Sequence, residues 1–245
     1  TKYPVVLPEY WHRDKLVNPY CFMHSLSKQL PEGQITITGN GTACVTAFQA
    51  MIIKQKQRLY TNSGCASMGY DLPAAIGANI GSGGKRIICI AGDGSIMMNI
   101  QELASIAFLQ LNIKIFILNN NGYHSIRQTQ ENFFGKPYVG CGPESGLGFP
   151  DFSKLAAGFD ISYLKCNNHH EMEQIIAECL ADNKPHICEV MLTPEQAFAP
   201  KVSSSKRSDG TIVSRPLEDM APFLPRDEFL TNMLIKPLAA SEEIA

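Results

Sequence analysis

Ile87-Ile88-Cys89-Ile90-Ala91-Gly92-Asp93-Gly94-Ser95 and, further on, Asn119-Asn120-Asn121-Gly122 bracket the stretch from which the fold is read. The unbroken apolar run Ile87 to Ala91 suits a strand buried on both faces of a parallel sheet, so the acidic turn lies at a strand's carboxyl end. Apolar or small residues at Ile100, Leu103, Ala104, Ala107, Phe108 and Leu111 then recur at helical spacing, with Asn99 and Glu102 as candidate cap. A second apolar strand, Ile113 to Leu118, delivers the asparagines to the same edge, because a right-handed strand-helix-strand unit brings parallel strand ends up together. Open parallel sheets bind ligands at that edge.

An aspartate and an asparagine placed there offer one carboxylate and one amide oxygen. These are hard ligands that suit Mg²⁺, which usually borrows further oxygens from a bound phosphate. Gly92 and Gly94 permit close backbone approach, and amides at the start of the following helix can face an anion. Taken singly, Asp-Gly and Asn-Asn-Asn-Gly are ordinary turns. Their ordered placement across one strand-helix-strand unit favours a magnesium diphosphate site.

The pair Gly92-Asp93-Gly94 and Asn119-Asn120, with 27 positions from Asp93 to Asn120, resembles the signature of thiamine diphosphate enzymes of the acetolactate (acetohydroxyacid) synthase-like group. That resemblance implies Asp93, Asn120 and the main-chain carbonyl of Gly122 as metal ligands. Residues 61 to 81 are similar to the same group's T-S-G-G-L-G-T-M-G-F-G-L-P-A-A-I-G-A segment. There Met68, 25 positions before Asp93, matches the methionine that holds the cofactor bent. The bend sets the aminopyrimidine nitrogen beside the proton it must remove. A bulky, adaptable thioether suits that support. Gly41 matches a glycine of the loop that touches the diphosphate, although Thr42 and Ala43 depart from the group's polar pair. Ser95 and Tyr123 complete the cofactor-facing set that the resemblance implies. His124, in the segment after the metal ligands, is a candidate proton carrier near neutral pH, although a lone loop histidine is more often solvated or structural. Ile126 to Thr129 and Phe133-Phe134 are reminiscent of synthase-like proteins that modify sugars.

The rest of the chain fits one α/β domain: a doubly wound, mainly parallel sheet of six strands with helices on both faces. The strands are expected near 35 to 38, 58 to 60, 86 to 91, 113 to 118, 161 to 166 and 187 to 192. Asn18-Pro19 reads as a cap and first helical position, with Phe22, Leu26 and Leu30 on one face. Phe152, Leu155, Ala156 and Phe159 mark a short helix; Met172, Ile175, Ile176, Cys179 and Leu180 mark another. His169-His170 reads as a solvated cap. The glycine- and proline-rich loop 135–150 either orders over substrate or connects elements. Residues 1–17 read as a linker from an upstream region, 18–193 as the diphosphate-binding domain, and 194–245 as a tail that could cover the site. Within that tail, Arg215 to Met220 could dock, and Lys206-Arg207 reads as a solvated basic loop.

The 245 residues carry a formal net charge of -2, which leaves no footprint for nucleic acid or an anionic membrane. Eight scattered cysteines without metal spacing read as buried thiols of a reducing cytoplasm. The resemblance, over roughly residues 18 to 225, implies a lyase or transferase. It would decarboxylate a 2-oxo acid, pyruvate foremost, and pass the acyl carbanion to a carbonyl acceptor that could be a keto-sugar. It also implies a partner: a pyrimidine-binding domain that supplies a catalytic glutamate, from the same protein or a neighbouring subunit of a homodimer or tetramer. Two alternatives stand beside this reading: the β-type subunit of a two-subunit decarboxylase or oxidoreductase, and a non-catalytic diphosphate- or nucleotide-binding module.

Overall fold

A computed structural model describes residues 2–206 and 211–237. Six parallel strands form one sheet in the order β2-β1-β3-β4-β6-β5. They are β1 (Ile35–Thr38), β2 (Arg58–Tyr60), β3 (Ile87–Gly92), β4 (Ile113–Asn119), β5 (Ser162–Cys166) and β6 (His186–Met191). The chain runs from β1 outward to β2, then returns to place β3 on the other side of β1. The carboxyl ends of β1 and β3 therefore flank a topological switch point, where open α/β sheets form their ligand crevice.

Alternation along the strands divides the core between two faces. Ile88, Ile90, Phe116, Leu118, Cys188 and Val190 pack against α1 (Pro19–Gln29), α2 (Thr42–Ala50) and α8 (His169–Leu180). Ile87, Cys89, Ile113, Ile115, Ile117 and Ile187 face α3 (Asp71–Gly81), α5 (Leu103–Phe108) and α7 (Phe152–Gly158). Both faces of the central strands are thus dry, which is why they read as continuous apolar runs. Burying each such side chain stabilises the fold by about 1.5–3 kcal/mol.

Asn18 caps α1: its Oδ1 accepts the N–H groups of Tyr20 at 2.9 Å and Cys21 at 3.4 Å, and Pro19 takes the first helical position. Its Nδ2 donates to Gln196 Oε1 at 2.6 Å. Asn18→Ala is expected to lower stability by about 1–2 kcal/mol, read as a drop in the urea midpoint at unchanged slope.

Residues of 1–17 are anchored on the core. Val5, Val6, Tyr10 and Trp11 pack partly buried against it, and Val17 extends the sheet by donating to the Met191 carbonyl at 2.8 Å. His169 joins this anchor and is half-buried, in place of the solvated cap expected for it. Its Nε2 accepts the Asn18 N–H at 2.9 Å, which leaves Nδ1 to donate to the Trp11 carbonyl at 3.3 Å. Asn168 is the cap of α8.

The helical stripe after the acidic turn also differs from expectation. Helix α4 (Asp93–Ile96) starts at the aspartate itself, and a 3₁₀ segment, Met97–Glu102, separates it from α5. Asn99 is non-helical (φ -137°, ψ 35°), and its Nδ2 donates to the Gly69 carbonyl at 2.8 Å instead of capping. Of the expected stripe, Leu103 is buried and Ile100, Ala107 and Leu111 pack partly buried against the core, joined by Ile106, while Ala104 is exposed and Phe108 is 85% exposed. Of the cysteines, six are buried, Cys44 is intermediate and Cys65 is exposed.

The chain divides into two units between Gln196 and Ala197. In the second, β7 (Ser204–Lys206) pairs antiparallel with β8 (Ile212–Ser214), followed by α9 (Arg226–Asn232). Within it Asp219 accepts two hydrogen bonds from Arg226 and one from Arg215, whose guanidinium stacks on Phe223. Of the basic pair, the Lys206 side chain and all of Arg207 lie outside the described residues. No described helix is long and apolar enough to cross a membrane.

Candidate active site

Three turns meet at the switch point. Gly39-Asn40-Gly41 follows β1, Gly92 to Ser95 follows β3, and Asn119 to Gly122 follows β4. Because the three strands are adjacent and parallel, their turns open on one side. They enclose a cavity of about 170 Å³. Every residue expected at the cofactor lines it: Gly41, Gly92, Asp93, Gly94, Ser95, Asn120 and Gly122 from these turns, Met68 from the 61–70 segment, and Tyr123 and His124 just beyond the last turn.

Asp93 is only 2% exposed. Its Oδ1 accepts the Gly94 N–H at 2.8 Å and its Oδ2 the Gly122 N–H at 3.0 Å, so one carboxylate ties two turns together. Burial pushes its pKa up to about 6, against the opposing pull of the Gly122, Gly94 and Asn121 amides and the Arg127 charge. A bound cation would supply this desolvated carboxylate with a counter-charge beyond that of Arg127.

Asn120 is oriented by a second residue of the cavity wall, Thr42. Its Nδ2 donates to Thr42 Oγ1 at 3.1 Å. Its Oδ1 is buried and accepts no hydrogen bond among the described residues. An orphaned buried acceptor beside a buried carboxylate fits a hard cation, and the Asp93 and Asn120 oxygens suit Mg²⁺. Thr42, a departure from the resembled pattern, therefore serves the asparagine.

Arg127, in α6 (His124–Phe133), braces the same turn. Its guanidinium donates to the carbonyls of Asn121 at 2.9 Å and of Asn120 and Cys141 at 3.4 Å. The Tyr123 N–H also donates to the Cys141 carbonyl at 2.9 Å, so the 135–150 loop is fastened to the asparagine turn. His124 opens α6 as a buried residue, not a solvated one.

Two glycines are required by close approach. A Cβ on Gly94 would enter the Tyr123 ring; one on Gly122, at φ +139°, would strike the Cys141 carbonyl. Gly122→Ala is expected to cost about 2–3 kcal/mol, combining overpacking with backbone strain. Thermal unfolding at matched conditions reads this directly.

Met68 lines the cavity and is 39% exposed. The following residue is clamped at both ends: the Gly69 N–H donates to Ser95 Oγ at 3.1 Å, and its carbonyl accepts from Asn99. Sequence reasoning missed Asn40, Thr42, Ser125 and Ile126 as lining residues. Only their adjacency to Gly41 and His124 signalled them.

Residues 39–190 match the family model described as thiamine pyrophosphate enzyme, C-terminal TPP binding domain. The acetolactate synthase large subunit of Pyropia yezoensis is 32% identical over 205 residues, which cover 84% of this chain and 34% of that protein. Acetolactate synthase 1, chloroplastic, of Zea mays is 30% identical over 181 residues, 72% of this chain and 28% of that protein. The acetolactate synthase isozyme 1 large subunit of Escherichia coli K12 is 29% identical over 183 residues, 75% of this chain and 32% of that protein. The chain thus spans about a third of the length of these relatives. The matched residues contain every residue that lines the switch-point cavity, and on that match the chain belongs to the thiamine pyrophosphate enzymes, among their acetolactate synthase-like members.

Proposed function

We propose that this chain binds thiamine diphosphate through Mg²⁺ and serves an enzyme that decarboxylates a 2-oxo acid, pyruvate foremost, and transfers the acyl unit to a carbonyl acceptor. The observation that carries this is the unpartnered Asn120 Oδ1 beside the buried Asp93 carboxylate, in a cavity floored by glycine turns. Asp93, Asn120 and the Gly122 carbonyl hold the metal, and the metal holds the diphosphate. Amides of the Gly92 to Ser95 turn, other than the Gly94 N–H that Asp93 already takes, would face the anion. Met68 supports the bent cofactor from below. His124, buried at the start of α6 against the cavity, would carry a proton to or from substrate. When bound, thiamine diphosphate supplies the electron sink that decarboxylation needs.

The activating carboxylate comes from a pyrimidine-binding domain, in the same protein or in a neighbouring subunit, so the active unit is an oligomer or a two-domain assembly. Names of the relatives, all acetolactate synthases, support a carboligase over a simple decarboxylase. The acceptor is a second 2-oxo acid, an aldehyde or a keto-sugar.

The test is calorimetric titration of thiamine diphosphate with and without Mg²⁺, followed by release of labelled CO₂ from pyruvate by the native assembly. Magnesium-dependent binding and CO₂ release support the proposal. Tight MgATP binding without thiamine diphosphate binding overturns it in favour of a nucleotide-binding module.

A further inference from the structure

Asp71 opens α3 with no solvent exposure, the one ionisable residue of that helix. Its Oδ2 accepts the Ser95 Oγ–H at 2.8 Å, and its Oδ1 accepts the Leu72 N–H at 3.0 Å. Ser95 Oγ in turn accepts the Gly69 N–H at 3.1 Å. The carboxyl group also lies under the first turn: a Cβ on Gly39 would collide with Asp71 Oδ2. One buried side chain thus touches Gly39, reaches the Gly92 to Ser95 turn and, through Ser95, reaches the residue after Met68. These are three segments that border the cavity, and Asp71 itself lines none of it.

Burying a carboxyl group is costly. Burial raises the Asp71 pKa, offset by the Ser95 and Leu72 hydrogen bonds, and neither partner is a cation. Ordinary packing would be served as well by an apolar residue, so a buried acid at this junction is explained by its acceptor geometry. Local rules of this kind are broken mainly at functional sites.

We infer that Asp71 is a positioning residue of the cofactor site, holding the Met68-Gly69 turn in register with the Asp93 turn through the Ser95 hydroxyl. This rests on the thiamine diphosphate reading above. With the bridge intact, Met68 would be held at the cavity wall in a fixed register with the Asp93 turn. Without it, the 61–70 segment has to be ordered by the cofactor itself, which weakens binding.

The experiment compares Asp71→Asn, Asp71→Ala and Ser95→Ala in the full-length protein. It reads thiamine diphosphate affinity at saturating Mg²⁺, hydrogen exchange of the Gly69 amide, and the global melting temperature. Asp71→Asn keeps an oxygen for Ser95 and should stay within about threefold of wild type, whereas either alanine variant should weaken binding by about tenfold or more. Both alanine variants should also speed Gly69 exchange beyond any change in global stability. Unchanged Gly69 exchange in Ser95→Ala, or affinity lost in all three variants only in proportion to melting temperature, overturns the inference and leaves Asp71 a fold residue. If wild type fails to bind thiamine diphosphate, the parent reading fails on its own, and the Gly69 exchange rates still decide whether the bridge exists.

Discussion

Asp93→Ala is expected to lower magnesium-dependent thiamine diphosphate affinity by at least about a hundredfold, since loss of even an outer partner of a metal ligand costs 10- to 100-fold. Two functions of the side chain vanish together: the proposed anionic ligand, and the acceptor that joins Gly94 to Gly122 at 2.8 and 3.0 Å. Asp93→Asn separates them. Its amide oxygen keeps one of the two N–H groups while its NH₂ faces the other, so the fold survives at a cost of about 1–3 kcal/mol. The negative charge is gone, and magnesium-dependent binding should be lost as in the alanine variant. Calorimetric titration of both variants beside their melting curves makes the check. An Asp93→Asn protein that is folded and binds with wild-type affinity removes Asp93 from the metal site.

The second large effect concerns stability and lies at the opposite end of the sheet. Lys114 sits in β4 with no exposed side-chain surface, among isoleucines and phenylalanine. Its ammonium group donates to Asp182 Oδ1 at 2.8 Å and to the Lys184 carbonyl at 2.5 Å. The same oxygen accepts the Lys184 N–H at 3.0 Å, and His186 Nε2 lies 2.9 Å away. Asp182→Asn leaves a buried cation without its counter-ion and should destabilise by about 2–4 kcal/mol, short of a fully buried pair because Asp182 is 44% exposed. Lys114→Met removes the charge that needs compensation and should stay within about 1 kcal/mol of wild type.

The sign with pH follows from the same pair. Lys114 foremost, then the Lys184 amide and His186, hold the Asp182 carboxyl well below the usual carboxylate range. Its contribution is therefore complete above about pH 4, the unfolded value, and is lost as pH falls through the depressed one. Urea midpoints should show the gap between wild type and Asp182→Asn at pH 7 narrowing as pH drops below about 4. A gap that is constant down to pH 3 would mean the ion pair contributes little.

Much of this architecture was legible in the linear order of residues. The six strand positions agree with the expected ones within one or two residues, because both faces of a parallel sheet are dry and its strands are written as apolar runs. The Asn18-Pro19 cap was equally local, a side chain reaching two and three residues along its own chain. The break of the helix at Asn99 escaped that reading for the converse reason. The kink at Asn99 is pulled by the Gly69 carbonyl, thirty positions away in sequence, and helical periodicity cannot register a distant acceptor.

The candidate site divides in the same way. Sequence by itself determined the sheet, the acidic and asparagine turns at its edge, and the residue types that suit a metal and a diphosphate, because these depend on periodicity, glycine and hard oxygen ligands at set spacings. Only the tertiary structure decided how those residues are held. Thr42 turns the Asn120 amide, Arg127 braces the asparagine carbonyls, and Asp71 reaches Gly69 through Ser95. Each is a hydrogen bond between turns that belong to different strands, and its strength comes from burial that exists only once the sheet has brought those turns together.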